Sequence, residues 1–135
     1  MTALTFPAKF EYLDEIRDFV GEQARASGFN EKDIYCVQLA ADEAASNVIE
    51  HACEGIPNAS FELTCDFKDD RLVITVIDHG KSFDPSKVAQ PDIEADLSDR
   101  KIGGLGIFLM RKLMDEVRYE ITASGNLLTL VKRKG

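Results

Sequence analysis

Three glycines and a leucine stand directly before an apolar helical pattern over residues 107–115: Gly103, Gly104, Leu105 and Gly106. Glycines lack a Cβ, so successive backbone N–H groups can curl around an anion, and the helix N-terminus adds roughly half a positive charge at that point. The run therefore predicts a phosphate site. Glycine-rich turns also join elements in proteins that bind nothing, so its weight depends on two polar motifs earlier in the chain.

The first of these motifs lies in a helical pattern over residues 31–54. Apolar residues recur there at steps of three and four and form a stripe that we expect to face a sheet: Val37, Ala41, Ala44, Val48 and Ala52. Glu43, Asn47 and Glu50 lie about 115° round the helix, at the rim of the core, where ligands bind. A solvated face is the alternative, since Glu is usually exposed. Asn is a poor helix former, so Asn47 in mid-helix indicates another use.

The second motif is a carboxylate at the end of a strand pattern over residues 71–77. Asp78 ends this pattern, and Gly80 follows two residues later. Asp beside Gly commonly starts a turn. Alternatively, the carboxylate accepts a hydrogen bond from an exocyclic amine such as that of adenine, while Gly80 lets the backbone approach the flat ring. The motif alone leaves both interpretations open.

Taken in order, Glu-x-x-x-Asn on a helix, Asp-x-Gly after a strand and Gly-Gly-x-Gly before a helix resemble the motifs of the GHKL ATPases, the histidine kinase-like group that includes gyrase and MutL. Two longer stretches look most like the bacterial anti-sigma factor serine/threonine kinases of the RsbW and SpoIIAB type. They are D-E-A-A-S-N-V-I-E-H-A from residue 42 and G-G-L-G-I-F-L-M-R-K-L-M-D-E-V from residue 103. The resemblance covers nearly the whole chain and implies the Bergerat ATP-binding fold.

The resemblance also implies a site for ATP and Mg²⁺. Asp78 would hold the adenine amine, with Gly80 beside the ring. Asn47 would bind Mg²⁺ through its side-chain oxygen, since this hard ion takes few protein ligands and keeps waters and phosphates as the rest. The run at residues 103–106 would line the triphosphate.

By the same resemblance the chain would be a protein kinase. Glu43 would accept the proton of the attacking hydroxyl, and Arg100 would neutralise charge on the transferred phosphoryl group. The γ-phosphate of ATP would pass to a serine or threonine of a small STAS-domain anti-anti-sigma protein. A sigma factor or another regulator would be the sequestered partner, and a homodimer is a further expectation.

Two other functions remain open from the sequence. A nucleotide-gated binding module would sequester a regulatory partner without phosphoryl transfer. Glu43 favours the kinase, because a module that only binds does not need a base. The third hypothesis is a structural α/β domain without a ligand.

Length and charge limit the classes of function. The 135 residues fit a single domain, residues 1–135. A net charge of −8 and a pI of about 4.7 argue against nucleic-acid binding, which depends on neutralising phosphates with Lys and Arg. A local basic group beside the glycines can still hold a small anion. Its members are Arg100, Lys101, Arg111 and Lys112.

The cysteines, histidines and apolar runs exclude further classes. Cys36, Cys53 and Cys65 are odd in number and have no C-x-x-C spacing, so we expect buried free thiols. His51 and His79 lack a second ligand at helical or hairpin spacing, which argues against metal ligation. No apolar run reaches the roughly 18 residues of a membrane span, and the N-terminus lacks a signal-peptide pattern. We therefore expect no membrane partner and a cytoplasmic location.

The pattern along the chain predicts a two-layer α/β sandwich, with a mixed, mainly antiparallel sheet covered on one face by helices. We expect strands over residues 2–8, 60–67, 71–77, 116–122 and 127–132, and helices over residues 11–27, 31–54 and 107–115. The last two strands would form a hairpin around Ser124, Gly125 and Asn126. Residues 81–102 are polar and too long for a plain connection, so they are predicted to form an ATP lid.

Overall fold

The structure is a computed structural model that describes residues 1–81 and 104–135. Its five strands are β1 (Thr2–Pro7), β2 (Ser60–Lys68), β3 (Arg71–Asp78), β4 (Glu116–Thr122) and β5 (Gly125–Arg133). Its α-helices are α1 (Leu13–Ala26), α2 (Glu31–Asn47) and α3 (Gly104–Leu113). A 3₁₀ turn, Phe10–Tyr12, precedes α1, and a π-helical turn, Val48–Ala52, continues α2.

The strands form one sheet in the order β1-β2-β3-β5-β4. All four pairings between the described strands are antiparallel. Helices pack on one face, so the predicted α/β sandwich is confirmed. Because β5 pairs antiparallel with β3, the last residues of β3 lie beside the first residues of β5.

The core lies between the sheet and the helices. Alternate residues of the strands face it, as the period of two requires, and Leu63, Ile74 and Leu130 are fully buried there. The apolar stripe predicted on the long helix is buried along its whole length: Val37, Ala41, Ala44, Val48 and Ala52. The pattern therefore identified the buried face of α2 correctly.

The ends of the helices are held by specific contacts. The side chain of Asn30 accepts a hydrogen bond of 2.8 Å from the backbone N–H of Asp33 and so caps the N-terminus of α2. At the C-terminus of α3, the Lys132 ammonium donates to the carbonyl oxygen of Leu113 at 3.0 Å and lies 3.9 Å from Asp33. A cation at this position compensates the negative end of the helix dipole.

Three of the differences between the predicted and the observed element boundaries bear on the site. The regular α-helix ends at Asn47, and the next five residues wind as a π-helix. The sequence prediction missed this wider winding because the local sequence shows no clear signal for it. The helix predicted over residues 107–115 is α3, which begins earlier, at Gly104. Glycine pays only about 1 kcal/mol in a helix relative to Ala, which packing can override. Strand β5 begins at Gly125, so Asn126 lies in the sheet and not in the turn.

Candidate functional site

A pocket between α2, α3 and the sheet brings two of the predicted site residues together. Asn47 and Asp78 lie on its wall, and the other described residues that line it are mostly apolar: Ala44, Val48, Ala52, Val76, Met110, Tyr119 and Leu128. They come from α2 and its π-helical turn, from α3 and from strands β3, β4 and β5. An apolar lining with few polar groups is typical of small-molecule sites, but the cavity between the described residues has a volume of only about 20 Å³.

Asp78 is the last residue of β3, and the alternation of the strand turns its side chain towards the helices. The side chain is only 5% exposed. Its Oδ1 accepts hydrogen bonds from the backbone N–H of Gly80 at 2.8 Å and from Nδ2 of Asn126 at 2.9 Å. Among the described residues no donor contacts Oδ2. This oxygen therefore keeps its capacity to accept a hydrogen bond from a ligand.

Asn126 is a site residue that the sequence analysis placed in a turn and did not consider. It lies opposite Asp78 in the β3–β5 register and is 2% exposed. Its Nδ2 also lies 3.1 Å from the carbonyl oxygen of Gly80 and 3.4 Å from that of Lys81. A signal was present in the sequence, because the period of two that buries Leu128 also turns residue 126 inwards.

Asn47 carries an unsatisfied group on the wall of the pocket. Its Nδ2 is buried and has no hydrogen-bond partner among the described residues. Such atoms are rare in native proteins and call for an explanation. The terminal amide can turn by 180°, so this position offers either an N–H donor or a carbonyl oxygen to a ligand.

The other two residues of the predicted polar stripe do not line the pocket. Glu43 lies one helical turn before Asn47 and is half-buried. Glu50 falls in the π-helical turn and is exposed, with its carboxylate 3.6 Å from Nε2 of His51. The wider winding begins only after Asn47, so it affects the position of Glu50 and not that of Glu43.

Gly80 has a structural reason to be glycine. A Cβ at this position would overlap the backbone carbonyl of Ala52, at the end of the π-helical turn. The N–H of Lys81 donates to the same carbonyl oxygen at 2.7 Å. The close approach of Gly80 to another backbone is therefore accounted for within the protein, and its contact with a flat ring stays a prediction.

The glycine-rich run is described only in part. Gly104 and Gly106 lie in the first turn of α3, whose backbone N–H groups have no partner within the helix. Met110 from the same helix lines the pocket, so α3 borders it. Gly103 and Arg100 lie outside the described residues, as does the predicted lid apart from Lys81.

The thiols agree with the prediction except at one position. Cys53 and Cys65 are buried, but Cys36 is half-buried, because it lies beside the buried stripe of α2 and not within it. Burial raises the pKa of the Cys53 thiol, and the negative charge of Asp78 raises it further. In the described part of the chain, no three His, Cys, Asp or Glu side chains are grouped as metal ligands, and no helix is long and apolar enough to span a membrane.

Comparison with protein families identifies the family of this chain. The family model for the histidine kinase-like ATPase domain matches residues 6–132. The match covers most of the chain, which therefore belongs to the histidine kinase-like ATPase family.

Within this family the chain is similar to curated serine-protein kinases named RsbW. The RsbW of Halalkalibacterium halodurans is 36% identical over 135 residues, covering 96% of this chain and 80% of the relative. The RsbW of Listeria monocytogenes is 33% identical over 119 residues, covering 85% of this chain and 76% of the relative. The resemblance to RsbW-type kinases that the motifs indicated is confirmed.

Solved structures show the same fold at lower identity. A structure of the RsbU and RsbW domains of Rv1364c from Mycobacterium tuberculosis matches 98% of this chain with a TM-score of 0.68 and 19% identity. The match spans 32% of that longer protein. The catalytic domain of the histidine kinase ThkA matches over 99% of both chains with a TM-score of 0.59 and 18% identity.

Proposed function

We propose that this chain is an ATP-dependent protein serine/threonine kinase that acts as an anti-sigma-type partner-switching regulator. The observation that carries the proposal is the pocket lined by both Asp78, whose hydrogen bonds fall on one carboxylate oxygen, and Asn47, whose side-chain nitrogen has no partner among the described residues. The relatives at 33% and 36% identity are named serine-protein kinases, which supports kinase activity.

The base of ATP would bind at the sheet end of the pocket. Oδ2 of Asp78 would accept a hydrogen bond from the exocyclic amine of adenine, because Oδ1 is already occupied by two donors. Apolar side chains such as Val76 and Leu128 would contact the flat ring. Burial strengthens the carboxylate–amine hydrogen bond, since less water competes for it.

The phosphates would extend towards Asn47 and the first turn of α3. The unpartnered amide of Asn47 suits this role, because it can donate to a phosphate oxygen or turn its oxygen towards a cation. Bound Mg²⁺ would neutralise phosphate charge and orient the triphosphate, and Asn47 is the residue that would hold it. Gly103 to Gly106, including Leu105, would supply the backbone donors of the phosphate site.

Phosphoryl transfer would need a base near the acceptor hydroxyl. Glu43 is the candidate, one helical turn from Asn47 on the same side of α2, and half-buried. Arg100 would compensate negative charge on the transferred group. Positioning by the pocket would supply most of the catalysis, because phosphoryl transfer needs little covalent help from the protein.

The proposed phosphate acceptor is a serine or threonine of a STAS-domain anti-anti-sigma protein in the cytoplasm, and the sequestered partner is a sigma factor or another regulator. A homodimer is part of the proposal. The edge strand β1 supports it, since Thr2–Pro7 has no charged side chain and Leu4 is 43% exposed. Uncharged edge strands favour pairing with another strand.

Calorimetric titration with ATP and Mg²⁺ tests the nucleotide site. We expect saturable binding by the wild-type protein, a loss of at least tenfold in affinity for Asp78→Asn, and a loss of Mg²⁺ dependence for Asn47→Ala. Asp66→Asn is the matched control, because Asp66 is an exposed carboxylate of the neighbouring strand β2. Equal affinities in Asp78→Asn and Asp66→Asn would rule out the proposed base site.

A nucleotide-gated binding module is the second candidate, favoured by the absence of Glu43 from the described pocket wall. Glu43→Gln separates the two functions. If the chain is a kinase with this base, the variant still binds ATP but phosphorylates a STAS-domain protein at least a hundredfold more slowly. If wild-type protein binds ATP and retains its partner without any transfer, the binding module is the correct function.

A further inference from the structure

Asn126 joins the base-binding carboxylate to the backbone that enters the predicted lid. We infer that Asn126 is a positioning residue that makes the pocket select nucleotides with a 6-amino group over those with a 6-oxo group. The inference rests on the proposed function, in which Asp78 receives the amine. In this proposal Asn126 acts through Asp78 and does not itself contact the nucleotide.

The hydrogen bonds around Asn126 hold one oxygen of Asp78 in place. Nδ2 of Asn126 donates to Oδ1 at 2.9 Å, and the N–H of Gly80 donates to the same oxygen at 2.8 Å. Two donors on one oxygen oppose rotation of the carboxylate about its last bond. Oδ2, which receives neither of these donors, is therefore held in a fixed orientation on a residue that lines the pocket.

The same amide nitrogen also holds the turn after β3. It lies 3.1 Å from the carbonyl oxygen of Gly80 and 3.4 Å from that of Lys81. The N–H of Lys81 is bound in turn to Ala52 at the end of the π-helical turn. Asn126 thus fixes the donor Gly80 as well as the acceptor Asp78.

Gly125 allows Asn126 to reach this position. Its φ of +128° is unfavourable for other residues, and a Cβ there would overlap the carbonyl oxygen of Asp78 and lie 2.8 Å from Nδ1 of His79. The absence of this Cβ lets the start of β5 approach the end of β3. Asn126 is then in register with Asp78, 48 residues away in the sequence.

A fixed acceptor discriminates between the two classes of purine. A 6-amino group donates a hydrogen bond to Oδ2. A 6-oxo group is itself an acceptor, so no hydrogen bond can form between its oxygen and Oδ2. Sites that require a hydrogen bond reject analogues that cannot make it. A carboxylate that rotates freely, or that moves back from the pocket, loses part of this discrimination.

Asn126→Val and Asn126→Thr test the inference as a matched pair, since the two side chains have the same shape and only Thr keeps a donor. We would measure the affinities for ATP and for inosine triphosphate by calorimetry, at a temperature where circular dichroism shows every variant folded. Asn126→Val should lower the preference for ATP about tenfold, while Asn126→Thr keeps most of it. Thr129→Val also replaces a buried polar side chain of β5 with Val, but on the opposite face of the strand, and should leave the preference unchanged.

A double-mutant cycle with Asp78→Asn shows whether Asn126 acts through Asp78. In the Asp78→Asn background, Asn126→Val should change the preference less than twofold. If wild-type protein prefers ATP and Asn126→Val keeps that preference, or weakens both nucleotides equally, the inference is wrong and the proposed function stands. If wild-type protein binds neither nucleotide, both are wrong.

Discussion

Gly80 shows at the scale of one residue how a motif residue can serve packing and a ligand site together. Its position against the carbonyl of Ala52 leaves no room for a side chain, and its N–H fixes Oδ1 of Asp78. The motif Asp-x-Gly is therefore a structural unit in this protein before any nucleotide binds. The requirement for glycine follows from the contact between two backbones.

Gly80→Ala should destabilise the protein and weaken ATP binding together. A Cβ would displace the turn, stretching the bonds from Lys81 to Ala52 and from Gly80 to Asp78. We expect the free energy of unfolding, measured with urea, to fall by about 3 kcal/mol.

Gly55→Ala is the control for this prediction. Gly55 has a φ of +76° but has open space around it, so Ala there should cost only the backbone strain of about 1 kcal/mol. Equal losses for the two variants would show that the contact between Gly80 and Ala52 is not tight in solution.

At the scale of elements, the β2–β3 hairpin carries avoidable strain. Asp69 and Asp70 form its two-residue turn, with φ values of 55° and 58°. Two successive residues with positive φ define a type I′ turn, for which Asn-Gly is the preferred pair. Two adjacent carboxylates add repulsion at the same point.

Replacing this pair with Asn-Gly should raise the free energy of unfolding by about 1 kcal/mol. Asp69→Asn with Asp70→Gly relieves both the backbone strain and the repulsion, while the bond from the Lys134 N–H to the carbonyl of residue 70 is kept. Urea unfolding measures the gain. The control is an Asn-Asn pair, which removes the charges but keeps a non-glycine residue of similar tolerance at each positive φ. A gain as large in the control would assign the effect to charge alone.

The elements also show what could be predicted from the sequence. The buried face of α2 and the hairpin of β4 and β5 follow from local periodicity, which is strong over those segments. The π-helical turn after Asn47 was not predicted, because its residues continue the apolar steps of an ordinary helix. The earlier start of α3 was missed because glycine is a weak helix former whose cost tertiary packing overrides.

The candidate site was predictable only in part for a related reason. Asn47 and Asp78 were found from their place in a helix and at a strand end, and the pocket brings them together. Asn126 was missed because its role arises from strand pairing with a residue 48 positions away. Local patterns indicate which residues are polar and inward, whereas the pairing of β3 with β5 decides which of them meet.

At the scale of the whole molecule, buried thiols make stability depend on alkaline pH. Burial raises the pKa of Cys65 from 9.0 to about 12. The unfolded chain therefore loses this proton first, so the stability that the protonated thiol contributes is complete below pH 9 and is lost as pH rises towards 12. Between pH 8 and 10.5, Cys65 alone should lower the free energy of unfolding by about 2 kcal/mol. Cys65→Ala should show a shallower decline over the same range in urea unfolding, and parallel curves for the two proteins would contradict the prediction.

Nucleotide binding should stabilise the molecule as a whole, because only the folded chain brings Asn47, Asp78 and α3 to one pocket. With Mg-ATP at 100 times its dissociation constant, the free energy of unfolding should rise by about 2.7 kcal/mol. Asp78→Asn should show about half of this gain or less at the same nucleotide concentration, and Asp66→Asn should show all of it. Urea titrations with and without Mg-ATP measure the difference, with Mg²⁺ alone as the blank. An unchanged midpoint in wild-type protein at millimolar Mg-ATP would favour the structural domain without a ligand, since ligand binding confined to the folded state must shift the unfolding equilibrium.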